Sequence, residues 1–563
     1  MSPILLLLGL ALAGGGFLLS QRHIAGLAVW FVVVAMLALG AAGKATLGRS
    51  FYWAIGWIGA LALFSASSSL WSGSIELSVI EADRVLVYLG FFLAAFLIAQ
   101  TDQRRQRFAE GIAISLLAIA LLALGTRLLP HVVSLGSGFG AGPRLRYPLG
   151  YWNADGLAFG IGAAFALWLS RRSLIGALRW IAVGALPAVL LALYFTYSRG
   201  GVLALAIACG CVIALSHDRL WMLATLAIGA VGAMPAVLAV QARRALSDNF
   251  QSQAAIDQGV TVLLILVAGT ALALGLFALL RRLEGGESDF TGRAVAISRN
   301  PKVLRRVALV LAVIGIGAAI AVGGRAWDQF SSPDLEFPGQ PEAHFGQLSG
   351  GGRDEFWRVA ADAFGEEPVA GHGAGTYQFS WDELRSIPVP VRDAHSLYLE
   401  AFAELGAIGG LIVLGLVGTL LWTGFSTWRD AAGAQRELYA VLFAACLAFA
   451  ISAAIDWMWE IADVGAIFFL AGGVLVAARC SQLARVRAAT NGHAEERRYS
   501  LAVAGLAVAW ITALALIGPL LVDREIDASK AAAADEDIPA AIDHASTARS
   551  IEPWAASPYV QLG

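Results

Sequence analysis

Residues 261–280, TVLLILVAGTALALGLFALL, contain no charged side chain and decide the fold class. Twenty helical residues extend about 30 Å, which is the thickness of the hydrocarbon core of a bilayer. Lipid offers no partner to backbone N–H and C=O groups, so such a stretch must be helical. Similar stretches predict fifteen candidate spans, at residues 4–19, 24–41, 52–70, 85–99, 108–129, 153–170, 177–197, 201–215, 220–240, 259–280, 303–322, 396–425, 437–454, 464–478 and 500–522.

The composition supports the same fold class. The 563 residues are 58% hydrophobic and 14% charged, with a mean hydropathy of +0.70, whereas soluble domains carry about 25% charged residues. We therefore predict an all-α polytopic membrane protein with about 12–15 transmembrane helices. The net charge of −2 implies no attraction to nucleic acid. The four cysteines lie in or beside apolar stretches and suggest neither a disulfide framework nor a zinc site.

Lysine and arginine are more frequent in alternate loops, and this bias predicts the orientation in the membrane. TDQRRQR (101–107), RRSLIGALR (171–179) and RNPKVLRR (299–306) are placed on the cytoplasmic side. The first apolar stretch lacks a basic n-region and is interpreted as a first span, not as a signal peptide. We therefore expect a multi-pass protein of the cytoplasmic (inner) membrane with a cytoplasmic N-terminus. Its predicted parts are 1–322 (N-terminal spans), 323–395 (large outer loop), 396–522 (C-terminal spans) and 523–563 (outer tail).

Two predicted segments lie outside the membrane. The loop 323–395 contains RDEFWRVAADAFGEEP (353–368), which is typical of a helix, and its aromatic residues favour partial order. The tail contains DIPAAIDHASTARSIEPWAASPYVQLG (537–563), which resembles the opening of a tetratricopeptide-type repeat. A lone repeat cannot bury its apolar face. Either the repeats continue in a longer chain, or the tail packs on the outer loop.

Two arginines at outer helix ends are candidates for anion binding, because charge is expensive at such positions. Arg199 lies in the turn YFTYSRGG (194–201), and its planar fork suits phosphate oxygens. The alternative is an arginine that reaches lipid head groups. Arg353 follows a glycine run at the start of a helix-like segment, where free N–H groups favour anions. Its alternative is a solvated loop arginine beside Asp354.

His395 opens the apolar helix in RDAHSLYLEAFAELGAIGG (392–410). We expect Asp393 to cap this helix, which would leave His395 in the first turn, where the helix dipole favours neutral imidazole. Glu400 and Glu404 point to other faces of the helix, whereas three residues share the face of the histidine: Tyr398, Leu399 and Phe402. The alternative is a histidine whose ring is satisfied by loop backbone.

A further outer stretch, RLRYPLGYWNADG (144–156), places aromatic and polar side chains at the mouth of one span. Tyr151 and Trp152 could contact a sugar, and Asn153 and Asp155 enter the span. The alternative is an aromatic belt at head-group depth. The sequence has no P-loop, no D-x-D pair in the outer loop and no cluster with metal-ligand spacing, so neither direct ATP use nor a metal or other cofactor is expected.

Together RYPLGYWNADG, YSRGG, GGRDEFW, GHGAGTY and AHSLYLEAFAELGAIGG resemble the O-antigen ligase/polymerase family of membrane glycosyltransferases. The resemblance implies a GT-C-type enzyme that transfers a glycan from a polyprenyl-diphosphate carrier, such as undecaprenyl diphosphate, without metal or ATP. It assigns Arg199 and Arg353 to the carrier diphosphate and His395 to catalysis. Tyr151, Trp152, Asn153 and Tyr398 are possible glycan or carrier contacts. The chain departs from the family at NADG, where relatives often have a small apolar residue in place of Asp155.

The implied chemistry is one displacement with inversion at the anomeric carbon. Two arginines would stabilise the departing diphosphate, and neutral histidine would take the proton of the attacking hydroxyl. The implied partners are a lipid-linked glycan donor, a glycan, lipid or protein acceptor, and membrane lipids. The sequence leaves open a polymerase, a lipid ligase and a protein ligase. Alternatives from other classes are a transporter or flippase for a lipid-linked or amphipathic substrate, and a structural scaffold.

Overall fold

All regular elements of the described part of the chain are helices. The computed structural model describes residues 2–40, 45–132, 143–248, 252–284, 349–491 and 499–563. Up to residue 284 the helices are α1 Pro3–Leu12, α2 Leu19–Ala38, α3 Arg49–Ser68, α4 Ile75–Ile98, α5 Asp102–Leu128, α6 Trp152–Arg172, α7 Gly176–Phe195, α8 Arg199–Leu215, α9 Arg219–Gln241, α10 Ala245–Asp248 and α11 Gln253–Glu284.

The second half of the described chain is also helical. Its helices are α12 Arg353–Glu366, α13 Tyr377–Leu384, α14 Leu397–Arg429, α15 Gly433–Ser452, α16 Ala462–Asn491, α17 Tyr499–Ala515, α18 Ile517–Ala534, α19 Ile538–Ile551 and α20 Ser557–Leu562. Ten stretches among the described residues are long and apolar enough to cross a membrane. The protein is therefore a multi-pass membrane protein, as predicted. The predicted span 303–322 and the loop residues 323–348 lie outside the described residues.

The predicted first span, 4–19, is wrong. Helix α1 has ten residues, which extend about 15 Å and cannot cross the hydrocarbon core. The chain then turns through Gly14, Gly15 and Gly16, whose φ angles of 62°, 74° and 68° lie in the left-handed region that glycine adopts without strain. The predicted cytoplasmic N-terminus depended on this crossing and stays a prediction.

The chain divides into two compact units. Unit 1 comprises Met1–Ala109, Phe356–Asp430 and Phe449–Gly563, and unit 2 comprises Glu110–Glu355 and Ala431–Ala448. In unit 1, α4 packs against α2, α3 and α16. Its aromatic residues are fully buried, and the Tyr88 ring stacks on Phe469 with 4.9 Å between ring centroids.

In unit 2, α6 packs against α7 and α8, and α9 packs against α7 and α11. Glycines allow α6 and α8 to approach each other closely. A Cβ atom on Gly156 would lie 2.9 Å from the Cα of Gly201, and one on Gly160 would lie 2.7 Å from the amide nitrogen of Leu205. Small residues at such crossings let helix backbones meet in a membrane. This contact brings the beginnings of α6 and α8 together.

The segment that begins at Phe356 has a small core of its own in unit 1. The predicted helix at RDEFWRVAADAF is confirmed as α12. Phe356 of α12 packs edge-on against Trp381 of α13, and Tyr377 donates a 2.9 Å hydrogen bond to the Phe356 carbonyl. Helix α14 is bent at Gly406, whose φ is 61°, and the amide of Ala407 donates to the Pro368 carbonyl. The bend therefore holds the segment between α12 and α13.

The tail is helical as its sequence predicts. Helix α18 packs against α19 through Val522, Ile526 and Ala548, and it continues across the predicted boundary at residue 523. The carboxylate of Glu76, at the start of α4, accepts hydrogen bonds from the amides of Ala556 and Ser557 at 2.7 and 2.9 Å. The tail is thus tied to the beginning of α4. Its relation to a tetratricopeptide repeat stays a prediction.

Candidate functional site

The start of α8 in unit 2 is fixed by a chain of polar contacts. Ser198 is the N-cap of α8, and its hydroxyl accepts a 2.9 Å hydrogen bond from the amide of Gly201. The same hydroxyl donates to Asn153 Oδ1 at 2.5 Å, and Asn153 Nδ2 donates to the Tyr151 hydroxyl at 2.7 Å. Asn153 and Tyr151, predicted as glycan or carrier contacts, therefore also position the residue before Arg199.

Arg199 and Arg353, which the sequence predicts as a pair, contact the same backbone turn. Arg199 Nη2 donates to the Ser349 carbonyl at 2.7 Å, and Arg353 Nη1 donates to the Gly350 carbonyl at 3.0 Å. The turn passes through Gly351, whose φ is 60°, and Gly352, whose φ is 83°. Non-glycine residues rarely adopt such angles, so the glycine run explains how two arginines reach one turn.

Arg144 joins this pair, and the sequence analysis did not single it out. Its guanidinium lies over the Trp152 ring, 4.9 Å from the centroid, in a cation–π contact. Burial is the largest influence on Arg144 and lowers its pKa to about 10, and the positive charges of Arg199 and Arg353 act in the same direction. The three guanidiniums are therefore near enough to repel each other, and an anion among them would relieve that repulsion.

The signal for Arg144 was present in the sequence. RLRYPLGYW carries two arginines on a loop assigned to the outer side, against the positive-inside bias. The aromatic residues of the same stretch are also typical of a belt at head-group depth. In the structure Trp152 serves as the platform for a guanidinium.

His395, in unit 1, does not lie where the sequence analysis placed it. Ser396 is the N-cap of α14, and its hydroxyl accepts from the amide of Leu399 at 3.4 Å. The expectation that Asp393 caps the helix is therefore wrong. His395 precedes the cap, with a φ of 52° in the left-handed region. The serine is three residues nearer the apolar run than Asp393, so it takes the cap and leaves the histidine before the helix.

The ring of His395 contacts a backbone carbonyl and two aromatic side chains. Nδ1 lies 3.1 Å from the carbonyl oxygen of Asp393. A carbonyl can only accept, so Nδ1 carries the proton and Nε2 carries the lone pair in the neutral ring. Phe356 lies 4.9 Å and Trp457 6.3 Å from the imidazole, measured between ring centroids. The contact with the carbonyl selects the neutral tautomer that carries its proton on Nδ1.

Glu400 and Glu404, the two glutamates after the histidine, accept hydrogen bonds from backbone amides. Their predicted orientation away from His395 allows these contacts. Glu400 Oε2 accepts from the amide of Ala394 at 2.8 Å. Glu404 accepts from the amides of Gly375 and Tyr377 at 2.8 and 2.9 Å. Both therefore brace the chain around the histidine. The hydroxyl of Tyr398, another predicted contact residue, donates to the Ala450 carbonyl at 2.8 Å.

The fold assembles a carboxylate group that sequence spacing did not indicate. Asp393, Glu400 and Glu460 place one oxygen each within 4.8 Å of one another, which is a geometry that can hold a cation. Arg84 already forms an ion pair with Glu460. No local pattern indicates the group, because Glu460 comes from a short turn, Met458–Glu460, far along the chain.

The helices and these side chains define a multi-pass membrane protein with an arginine group in unit 2 and a histidine before α14 in unit 1. Residues 260–414 match the family model described as O-Antigen ligase. The resemblance seen in the motifs is confirmed for this stretch, which includes Arg353 and His395.

One solved structure gives a further likeness. It is the archaeal oligosaccharyltransferase AglB from Archaeoglobus fulgidus, in complex with an inhibitory peptide and a dolichol-phosphate, with 13% identity and a TM-score of 0.28. The likeness covers 83% of this chain and 55% of that chain, so this chain spans little more than half the length of AglB. No curated protein matches the sequence.

Proposed function

We propose that the protein transfers a glycan from a polyprenyl-diphosphate carrier to an acceptor hydroxyl on the outer side of the cytoplasmic membrane, in a GT-C-type reaction without a metal. The observation that carries the proposal is the convergence of Arg144, Arg199 and Arg353 in unit 2. Guanidinium groups bind phosphate oxygens in two-point contacts. A diphosphate offers such oxygens, and it gains one negative charge when the sugar leaves.

The bond changes assign a role to each group. The acceptor oxygen forms a bond to the anomeric carbon while the bond from that carbon to the diphosphate oxygen breaks. The electron pair of the broken bond leaves with the carrier diphosphate, and the arginines stabilise its charge. The proton of the acceptor hydroxyl passes to Nε2 of His395, whose Nδ1 is held by the Asp393 carbonyl. A single displacement of this kind inverts the anomeric configuration.

Point variants of the purified full chain in lipid nanodiscs test these roles. The substrate is a lipid-linked glycan extracted from cells that naturally make the protein, and the product is measured by mass spectrometry. We expect His395→Ala to lower the transfer rate about 10²- to 10⁴-fold. Arg199→Ala and Arg353→Ala should each lower it about 10²- to 10³-fold.

Matched controls exist in the same outer segment. His372 contacts only backbone and an exposed glutamate among the described residues, with Nε2 3.0 Å from the Ala363 carbonyl. His372→Ala and Arg385→Ala should therefore keep transfer within about threefold of the parent. Near-native turnover of His395→Ala would remove the general base from the proposal. Movement of the substrate across vesicles without any new glycosidic bond would favour a flippase.

A further inference from the structure

Unit 1 contains a cavity of about 840 Å³ beside the segment that carries His395. This volume is within the range of about 300–1,000 Å³ that is typical of ligand sites. Residues of α2, α4, α13, α18 and α20 line it, and its walls include the apolar side chains Leu18, Ile80, Phe379, Val522, Ile526 and Val560. Charged side chains line other parts of the same cavity. The cavity is therefore amphipathic.

Arg22 lines this cavity and is 2% exposed. Its Nε has no hydrogen-bond partner, and its guanidinium forms no ion pair with any residue that the structure describes. The charged groups that act on it are Arg84, Glu81 and Glu460. Both glutamates already form ion pairs with Arg84. A buried donor without an acceptor destabilises the fold, and it does so more strongly when it is charged. Arg22 therefore needs acceptor atoms from the contents of the cavity.

Asp393 offers the complementary group. Its carboxylate lines the same cavity and forms no hydrogen bond within the described part of the chain. The backbone carbonyl of the same residue holds Nδ1 of His395 at 3.1 Å. The residue that sets the histidine tautomer thus also presents an acceptor to the cavity, and this acceptor needs donor atoms.

The balance of charge decides which ligand fits. A cation at Asp393, Glu400 and Glu460 would compete with Arg84, which already occupies Glu460, and Arg22 would repel it. An anion at Arg22 would meet the carboxylates that line the same space. A neutral molecule rich in hydroxyl groups avoids both conflicts, because each hydroxyl both donates and accepts. The exposed ring of Phe379 suits the C–H face of a sugar ring.

We infer that this cavity binds the sugar whose hydroxyl accepts the glycan, with Arg22 donating to it and Asp393 accepting from it. The assignment of this sugar as the acceptor rests on the proposed function. The binding of a neutral sugar does not depend on that function. The cavity and the candidate base then belong to the same unit, linked through Asp393.

Protection of an introduced thiol tests the inference. Gln378→Cys, on α13, places a thiol on the cavity. Glu383→Cys, on the same helix, places a thiol on a neighbouring cavity of about 480 Å³ that shares only Phe379 with the first. The full chain in nanodiscs is treated with a fluorescent maleimide. The probe is the glycolipid and glycan extract of envelopes from cells that naturally make the protein, used before and after periodate cleavage of its sugar diols. The labelling of the native cysteines, measured on the parent chain, is subtracted.

The extract should slow the labelling of Gln378→Cys about tenfold, periodate should abolish this effect, and Glu383→Cys should be unaffected. Adding Arg22→Gln should remove the protection, whereas adding Arg385→Gln should retain it. Equal protection by plain phosphatidylethanolamine vesicles would overturn the inference, because a lipid would then fill the cavity. No protection by an extract from which the parent chain makes product would overturn it as well.

The outcomes separate this inference from the proposed function. Periodate-sensitive protection with no new glycosidic bond would support the sugar site and contradict glycosyl transfer. If Arg22→Gln does not fold, the comparison of Gln378→Cys with Glu383→Cys still decides, because neither variant changes a charged group buried in the cavity.

Discussion

Arg199→Lys keeps a positive charge at the start of α8 and removes the planar fork of the guanidinium. In the structure Arg199 Nη2 donates to the Ser349 carbonyl at 2.7 Å, and Arg353 binds the next carbonyl of the same turn. A diphosphate bound here would need further N–H groups from Arg199 while this backbone contact is kept. An ammonium group is a compact point charge and cannot reproduce the geometry of both contacts.

The expected loss follows from one charged hydrogen bond. A hydrogen bond to a charged group contributes about 1.5–3 kcal/mol, and about 1.36 kcal/mol corresponds to a factor of ten in rate. Arg199→Lys should therefore lower kcat/KM for the lipid-linked donor about 10- to 150-fold. Arg199→Ala should lower it further, because it removes the charge as well.

The measurement is the initial rate of transfer at several donor concentrations, with purified protein in nanodiscs. Arg385→Lys is the matched control, because Arg385 contacts the Val389 carbonyl and the exposed Asp382 in unit 1. It should stay within about twofold of the parent chain. A value for Arg199→Lys within twofold of the parent would refute the two-point recognition of a diphosphate at this position.

Three further predictions concern stability and folding. Gly406→Ala should lower the free energy of unfolding by about 1–3 kcal/mol, because the new Cβ would lie 2.4 Å from the backbone of Val369. Gly418→Ala is the control and should not lower it, because a Cβ there meets nothing within 4 Å. Equal melting temperatures of the two variants would contradict this prediction. Burial raises the pKa of Asp393 to about 6, so the folded state holds a proton that the unfolded state loses near pH 4. The stability of the fold should therefore fall as the pH rises from about 4 to 6. If thermal melts of Asp393→Asn show the same fall, Asp393 is not its cause. Glu76→Gln should weaken the contact with the amides at the start of α20 and speed proteolysis of the tail, and unchanged cleavage kinetics would show that this contact does not hold the tail.

The sequence predicted the elements that depend on local pattern. Apolar stretches of spanning length specify helices because lipid offers their backbone no partner. The amphipathic run from Arg353 specifies a helix through the periodicity of its side chains. Helix α12 and most long helices follow these patterns. The first span failed because Gly14–Gly16 end α1, although the apolar composition continues through them. Composition measures the tendency to enter lipid, whereas a glycine turn sets the length of the helix.

The candidate site was predictable only in part. The sequence suggested Arg199 because it breaks the positive-inside bias, and Arg353 because it follows a glycine run at the start of a helix. The structure brings both to one turn. The cap at Ser396 and the left-handed conformation of His395 result from a competition between two capping residues that the sequence alone does not decide. The cavity around Arg22 is formed by helices distant in sequence, so no local pattern could indicate it.

The anomeric configuration of the product tests the central claim most directly. The purified chain is incubated with a lipid-linked glycan of known linkage, and the new glycosidic bond is examined by NMR spectroscopy. Direct displacement, with His395 as the base and the arginines at the diphosphate, predicts that the new bond has the inverted configuration. It also predicts that His395→Ala does not form this bond at a comparable rate. A retained configuration, or the absence of any new bond in the presence of donor and acceptor, would contradict the account.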